Sequence, residues 1–237
     1  MHESVYQRIK NEGKLSWNKS SSFEEMWQHE TNTYLQKNLK LLNMPFKGLK
    51  ILDLGTGTGT SALFSSKEGA VVVGVEYSET AISIAIENAQ KLKLNVEFIQ
   101  GDILSLDLGQ KFNIVIDSTV LHCIVGIIDR QKFYETAKKH LVPGGLLFIN
   151  TMISKGDMSN HFPAEYFCLQ DNILWSLGIN EISERKTING KSYFPHRTLL
   201  SEEMQLREFT ENGFEVINME ITSGDGVSCM VGLIRYR

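Results

Sequence analysis

Ile51-Leu52-Asp53-Leu54-Gly55-Thr56-Gly57-Thr58-Gly59-Thr60 constrains the fold of this chain more than any other stretch. An apolar run that closes on Asp-Leu and passes into glycines alternating with threonines predicts a buried strand turning sharply into a helix. Glycine at alternate positions permits positive φ and lets a ligand approach the main chain where a Cβ would collide. The helix beyond the turn begins with unpaired N–H groups. A small-molecule cofactor site is therefore expected near residue 55.

The rest of the chain repeats the strand–helix rhythm. Val71 to Glu76 is a β-branched run too apolar for a surface strand. Ser78 is placed to cap a helix running to Lys93, with Ala81, Ile82, Ala85, Ile86 and Ala89 at helical spacing. Val96 to Gln100 reads as a third strand closed by Gly101-Asp102, and Phe112 to Asp117 as a fourth. A helix over Asp129–Leu141 follows, and Pro143-Gly144-Gly145 is expected to turn the chain into a fifth strand, Leu146 to Thr151. Alternation of this kind implies right-handed crossovers and a mostly parallel sheet.

The end of the chain departs from that rhythm. A helix from about Ser201 stops at Asn212-Gly213, and Phe214–Thr222 and Val227–Tyr236 flank Ser223-Gly224-Asp225-Gly226 as a β-hairpin. The expected fold is α/β: a Rossmann-like, seven-stranded, mostly parallel sheet with a C-terminal antiparallel hairpin strand and helices on both faces. Residues 1–48 form a helical cap segment, anchored by Trp17, Phe23, Met26, Trp27, Tyr34 and Leu35. The cofactor-binding core is 49–151, residues 152–200 are an aromatic-rich substrate cap, and 201–237 complete the sheet.

A length of 237 residues suits one large α/β domain with an appendage. The net charge of −4 is spread along the chain, leaving no electrostatic footprint for nucleic acid or an anionic membrane. No apolar run approaches the ~20 residues of a membrane span, and Met1-His2-Glu3-Ser4 lacks a signal-peptide core. Cys123, Cys168 and Cys229 are odd in number and widely spaced, which points to a reduced, cytoplasmic protein without a zinc site. The oligomeric state is left open.

Three cofactors compete for the glycine turn. A phosphate-binding P-loop needs Gly-Lys-Ser/Thr, which is absent here. A dinucleotide turn needs a third glycine where this chain has Thr60. Glu76 ends the second strand about 20 residues on, and its carboxylate can accept bonds from both hydroxyls of a ribose.

At these residues the chain resembles the class I S-adenosylmethionine-dependent methyltransferases, in the order that family uses and over about residues 48–237. Asp53-Leu54-Gly55-Thr56-Gly57-Thr58-Gly59 is similar to its first motif and Gly74-Val75-Glu76-Tyr77-Ser78 to its acidic-loop motif. Gly101-Asp102-Ile103, Asp117 and Leu141-Val142-Pro143-Gly144-Gly145 match later ones. The resemblance implies S-adenosyl-L-methionine as cofactor and S-adenosyl-L-homocysteine as product. Asp53, Gly55, Thr56, Gly57 and Gly59 would form the loop against the amino-acid and ribose parts. Glu76 would hold the ribose and Tyr77 lie beside the adenine, with Asp102 accepting from its amino group and Ile103 packing on the ring. Asp117 and Ser118 would border the methionine end.

His122 lies just beyond the fourth strand, where it is expected to serve as a general base or to orient a small-molecule acceptor. A buried histidine bonded to backbone is the plainer alternative. Arg197, in Tyr193-Phe194-Pro195-His196-Arg197, can clamp an anionic acceptor, or simply pair with Glu202 or Glu203. Asp117 is followed by Ser118-Thr119-Val120-Leu121, unlike the Pro-Pro-aromatic motif of enzymes that methylate amines of nucleic-acid bases. The fifth strand ends Ile149-Asn150-Thr151-Met152, without the carboxylate pair of the metal-dependent catechol class, and no metal is expected. The cysteine spacing does not match arsenite methyltransferases. Asp171-Asn172 is expected to start a helix. Methyl transfer to an O, N or other nucleophile is the leading reading. The alternatives are a catalytically inactive S-adenosylmethionine-binding module and a NAD-dependent oxidoreductase.

Overall fold

The computed structural model describes residues 2–178, 185–224 and 227–237. Three helices open the chain: α1 (His2–Asn11), α2 (Phe23–Trp27) and α3 (Glu30–Leu41). The alternating core follows as β1 (Lys50–Leu54), α4 (Thr60–Lys67), β2 (Val71–Glu76), α5 (Glu79–Leu92), β3 (Val96–Gln100), β4 (Phe112–Ser118), α6 (Ile127–His140) and β5 (Leu141–Ile153). A second group comprises β6 (Phe167–Gln170), β7 (Ile173–Leu177), β8 (Lys186–Ile188) and β9 (Lys191–Thr198). The chain ends with α7 (Glu202–Glu211), β10 (Phe214–Gly224) and β11 (Val227–Tyr236).

Seven strands form the main sheet in the order β10-β11-β5-β4-β1-β2-β3. The neighbours from β5 to β3 are parallel, and β11 inserts antiparallel between β5 and β10. Side chains alternate between the two faces with the strand period of two. Leu52, Leu54, Val73, Val75, Val115, Leu147 and Ile149 join one core with Phe133, Tyr134 and Ala137 of α6 and Phe209 of α7. Ile51, Val72, Ile114, Ile116, Leu146 and Phe148 join the other, with Leu35 and Leu39 of α3 and Ala62 and Phe64 of α4. Both faces are covered, as the fully apolar strands require. No helix among the described residues is long and apolar enough to cross a membrane.

Two local expectations are corrected. The fifth strand begins at Leu141, not at Leu146: Phe112 pairs with Leu141 and Ile114 with Leu146, so Pro143-Gly144-Gly145 bulges within β5. Asp171-Asn172 starts no helix; the two residues have φ of 54° and 61° and join β6 to β7 as a two-residue hairpin turn. Asx residues tolerate this left-handed geometry, which matches strand twist. Asn189-Gly190 repeats the device between β8 and β9, with φ of 49° and 75°. The result is a four-stranded antiparallel sheet, β6-β7-β9-β8. Phe162, Leu174 and Leu199 pack it against Val227 of β11. The expected turn residues Asp225-Gly226 lie outside the described residues, while Gly224 and Val227 are paired beside them.

The N-terminal segment carries the helices α1, α2 and α3. Helix α1 docks on α5 through Ile9, which packs on Ala81 and Ile84. Glu3 accepts from the hydroxyls of Ser78 and Thr80 at the start of α5.

Candidate functional site

The sheet changes winding direction between β1 and β4, which opens a crevice at their carboxyl ends. Leu54 of β1 lies opposite Asp117 of β4 there. From β1 the chain enters the glycine loop, where Gly55, Gly57 and Gly59 have φ of 70°, 54° and 85°. Protein atoms already crowd the two glycines nearest the crevice. A Cβ on Gly55 would stand 2.2 Å from Val120 Cγ2, and one on Gly57 would stand 2.9 Å from the Tyr6 hydroxyl. Glycine is thus needed here for close packing within the protein as well as for backbone turn.

Glu76, at the tip of β2, bridges the loop to the next helix. Its carboxylate accepts from the Gly57 N–H at 3.1 Å and the Ser78 N–H at 3.0 Å. Burial raises its pKa, partly offset by those amides. It lines a cavity of about 850 Å³ with Glu3, Tyr77, Ser78, Gln100 and Asp102. Tyr77 is 76% exposed at the mouth. Asp102 is exposed, its carboxylate accepting from the Leu104 N–H at 2.9 Å, and Ile103 packs into the core beneath. Adjoining this cavity, the expected ribose and adenine residues are brought together.

Two buried carboxylates stand deeper in the crevice. Asp53 accepts from the Thr56 hydroxyl at 2.7 Å, while Oδ1 makes no full hydrogen bond among the described residues. Burial pushes its pKa up to about 6, against the opposing effect of Thr56. Asp117 Oδ1 accepts from the Val120 and Leu121 N–H groups at 2.9 Å each, and Oδ2 makes no full hydrogen bond among the described residues. Its pKa is pushed to about 7, again chiefly by burial. Asp117 thus shapes the 3-10 turn over Leu121–Cys123. The neighbouring Ser118 hydroxyl donates to Ser61 at 3.0 Å. Thr119, which follows it, holds φ of 65°, a strained value for a β-branched residue.

His122 is buried on that turn. Its Nδ1 accepts from the Met152 N–H at 3.2 Å and lies 3.4 Å from the Thr151 hydroxyl. The Met152 donor assigns the neutral ring proton to Nε2. His122 so arranged is a hydrogen-bond donor at Nε2, with its basic lone pair already engaged by backbone. Arg197 reaches the same turn from β9, Nη1 donating to Cys123 Sγ at 2.9 Å. The β7–β9 register slips at His196, and such bulges re-aim neighbouring side chains. Thr198 Oγ1 pins the strand to the Ile124 carbonyl at 2.9 Å. The expected partners of Arg197 are engaged elsewhere, Glu202 with Lys155 and Glu203 with Arg207.

Sequence reasoning missed Tyr6 and Arg130. Tyr6, on α1, is buried, its ring centroid 5.3 Å from that of Trp17, and its pKa is driven up by burial and by Glu76, Cys123 and Asp53. Arg130 of α6 donates to the Leu121 carbonyl at 2.6 Å and twice to Glu208 of α7 at 2.7 Å. Its position beside exposed Ile127 and Ile128 gives no local hint of burial. Only the chain's return in α7 creates its partner.

The sequence profile of a methyltransferase domain family matches residues 45–195. A curated ubiquinone biosynthesis O-methyltransferase from Chelativorans sp. is 34% identical over 109 residues, covering 46% of this chain and 42% of that protein. One of the same name from Coxiella burnetii is 31% identical over 121 residues, covering 50% and 48%. The chain thus spans less than half the length of these relatives. Among solved structures, an S-adenosylmethionine-dependent methyltransferase from Clostridium acetobutylicum superposes with a TM-score of 0.63 at 15% identity, over 90% of this chain and 91% of that one. This last likeness is one of fold.

Proposed function

We infer that this chain, which belongs to the methyltransferase domain family, transfers a methyl group from S-adenosylmethionine to a nucleophile of a small molecule. The crevice between β1 and β4 carries this reading, because two buried carboxylates there, Asp53 and Asp117, each keep one oxygen without a full hydrogen bond among the described residues. Carboxylates held in that state suit a ligand bearing positive charge, and the proposed donor carries an ammonium and a sulfonium. Glu76 is placed for the ribose hydroxyls, with Tyr77, Asp102 and Ile103 around the adenine. Asp53, Gly55, Thr56, Gly57, Gly59, Asp117 and Ser118 line the route to the amino-acid end.

When bound, the donor supplies a methyl carbon whose C–S electron pair passes to sulfur as the bond to the acceptor forms, leaving S-adenosylhomocysteine. The protein then has to align the acceptor and exclude water. Tyr6 roofs the glycine loop and keeps that end dry. His122 offers its Nε2 proton to orient the acceptor, and Arg197 lies on the same side. A base role for His122 would require the Met152 amide to release Nδ1. The relatives' names support oxygen as the accepting atom.

Thermal denaturation with added S-adenosylmethionine, S-adenosylhomocysteine or NAD tests the reading. The first two are expected to raise Tm by several degrees and NAD to leave it unchanged, since a ligand that binds only the folded state stabilises it. Stabilisation by NAD alone would overturn it. Binding without turnover of any acceptor would identify an inactive binding module.

A further inference from the structure

Arg130 and Arg197 both reach the 3-10 turn, and they differ in one respect. Every nitrogen of Arg130 is bonded: Nε and Nη2 grip Glu208, Nη2 also meets Gln205, and Nη1 holds the Leu121 carbonyl. Arg197 is half-buried, and its one hydrogen bond among the described residues is to the Cys123 thiol. Its Nε is shielded from solvent and has no hydrogen-bond partner among the described residues. No carboxylate among the described residues pairs with it. The thiol is a weak acceptor and supplies no counter-charge, because burial raises its pKa and keeps it neutral.

With Nη1 on the thiol and Nε shielded from solvent, Nη2 is the donor left to face a ligand, and it carries a charge that no carboxylate among the described residues offsets. A charge-assisted bond to an anionic oxygen is the contact it suits best. Its place is also selective. Across the turn, Asp53, Glu76 and Asp117 make the donor side acidic, whereas Arg197 makes the acceptor side cationic. We propose that the methyl acceptor is a small organic carboxylate, held through its carboxylate by Nη2 and the uncompensated charge of Arg197 and oriented by the neighbouring His122. This rests on the methyl-transfer reading above.

Calorimetric titration of the whole protein, with and without S-adenosylhomocysteine, tests it with matched probes: benzoate against benzamide, and phenylacetate against phenylacetamide. The acids are expected to bind wild type about tenfold or more tightly than the amides. In Arg197→Met that ratio falls to near one, and in Arg197→Lys, which keeps the charge but not the guanidinium geometry, it falls part of the way. Affinity for S-adenosylhomocysteine stays unchanged in both variants. The proposal is overturned if acids and amides bind wild type alike, if neither binds, or if the preference survives in Arg197→Met. Failure of S-adenosylhomocysteine to bind wild type sinks the donor reading instead, and the titrations run without it still report on Arg197. Should Arg197→Met misfold, the wild-type ratio and Arg197→Lys decide between the same two outcomes.

Discussion

At the scale of single residues, the crevice is defined by groups held away from their ordinary protonation state. Asp53 and Asp117 have pKa values raised to about 6 and about 7, because burial disfavours their charged forms. Between the unfolded carboxylate range and those values the folded protein binds more protons than the unfolded chain. Their contribution to stability is therefore greatest at low pH and declines as pH rises through that window. Donor binding has the opposite sign, since a cationic ligand requires the ionised carboxylates. S-adenosylmethionine is expected to bind about tenfold more tightly at pH 7.5 than at pH 5.5, releasing protons as it does so, a change of roughly one pKa unit's worth of free energy. Calorimetry in buffers of different ionisation enthalpy reads both quantities, and a pH-independent Kd without proton release would remove the carboxylates from the donor site. His122 separates by substitution. Asparagine can accept from Met152 in place of Nδ1, and glutamine can donate in place of Nε2. If His122 orients the acceptor, His122→Gln keeps most of kcat with an unaltered pH profile, whereas His122→Asn folds normally and loses about 10- to 100-fold. A general base would instead lose its acidic limb in both variants.

At the scale of elements, the sequence disclosed what depends on neighbours along the chain. The strand ending at Leu54, the left-handed glycines and the Ser78 and Ser201 caps are local, and each stands where the residues place it. The turns at Asp171-Asn172 and Asn189-Gly190 are equally local. The first reads wrongly from sequence because Asp and Asn also favour helix N-caps, and only the paired strands on either side settle the choice. Tyr6 is out of reach for a different reason: its hydroxyl meets a glycine 51 positions away, once α1 has docked on α5. That docking is testable by a double-mutant cycle. Gly57→Ala places a methyl 2.9 Å from the Tyr6 hydroxyl and strains a residue at φ 54°. Tyr6→Phe removes the hydroxyl and relieves the first cost but not the second. Urea denaturation of the four proteins is expected to give a favourable coupling of about 0.5–3 kcal/mol. A coupling of zero would mean that α1 does not cover the loop in solution.

At the scale of the whole molecule, the parallel core and its terminal hairpin are legible because apolar runs buried on both faces have few ways to be covered. The small sheet is not: an aromatic-rich segment announces burial without saying against what. Its attachment explains how it can be an addition to a complete core. The main sheet closes through β11 without any strand from the second group. The ends of that group are adjacent, Ser154 N–H donating to the Leu200 carbonyl at 2.8 Å. Replacing residues 155–199 by a short glycine–serine linker therefore spans little distance and has a small closure cost. The excision removes Phe162, Leu174 and Leu199 from Val227 and uncovers Met152 and Cys229, so some stability is lost, a few kcal/mol for partners of this size. The Asp53–Glu76–Asp102 side of the crevice is untouched, while Arg197 and the Thr198 bond to the 3-10 turn are gone. The shortened chain is expected to fold cooperatively, to bind S-adenosylhomocysteine within about tenfold of the full chain, and to show neither turnover nor preference for carboxylate probes. Circular dichroism melts and the same titrations read all three. Loss of S-adenosylhomocysteine binding in a well-folded excision variant would show that the second sheet builds the donor site too, and that the molecule does not divide into a donor-binding core and an acceptor-binding addition.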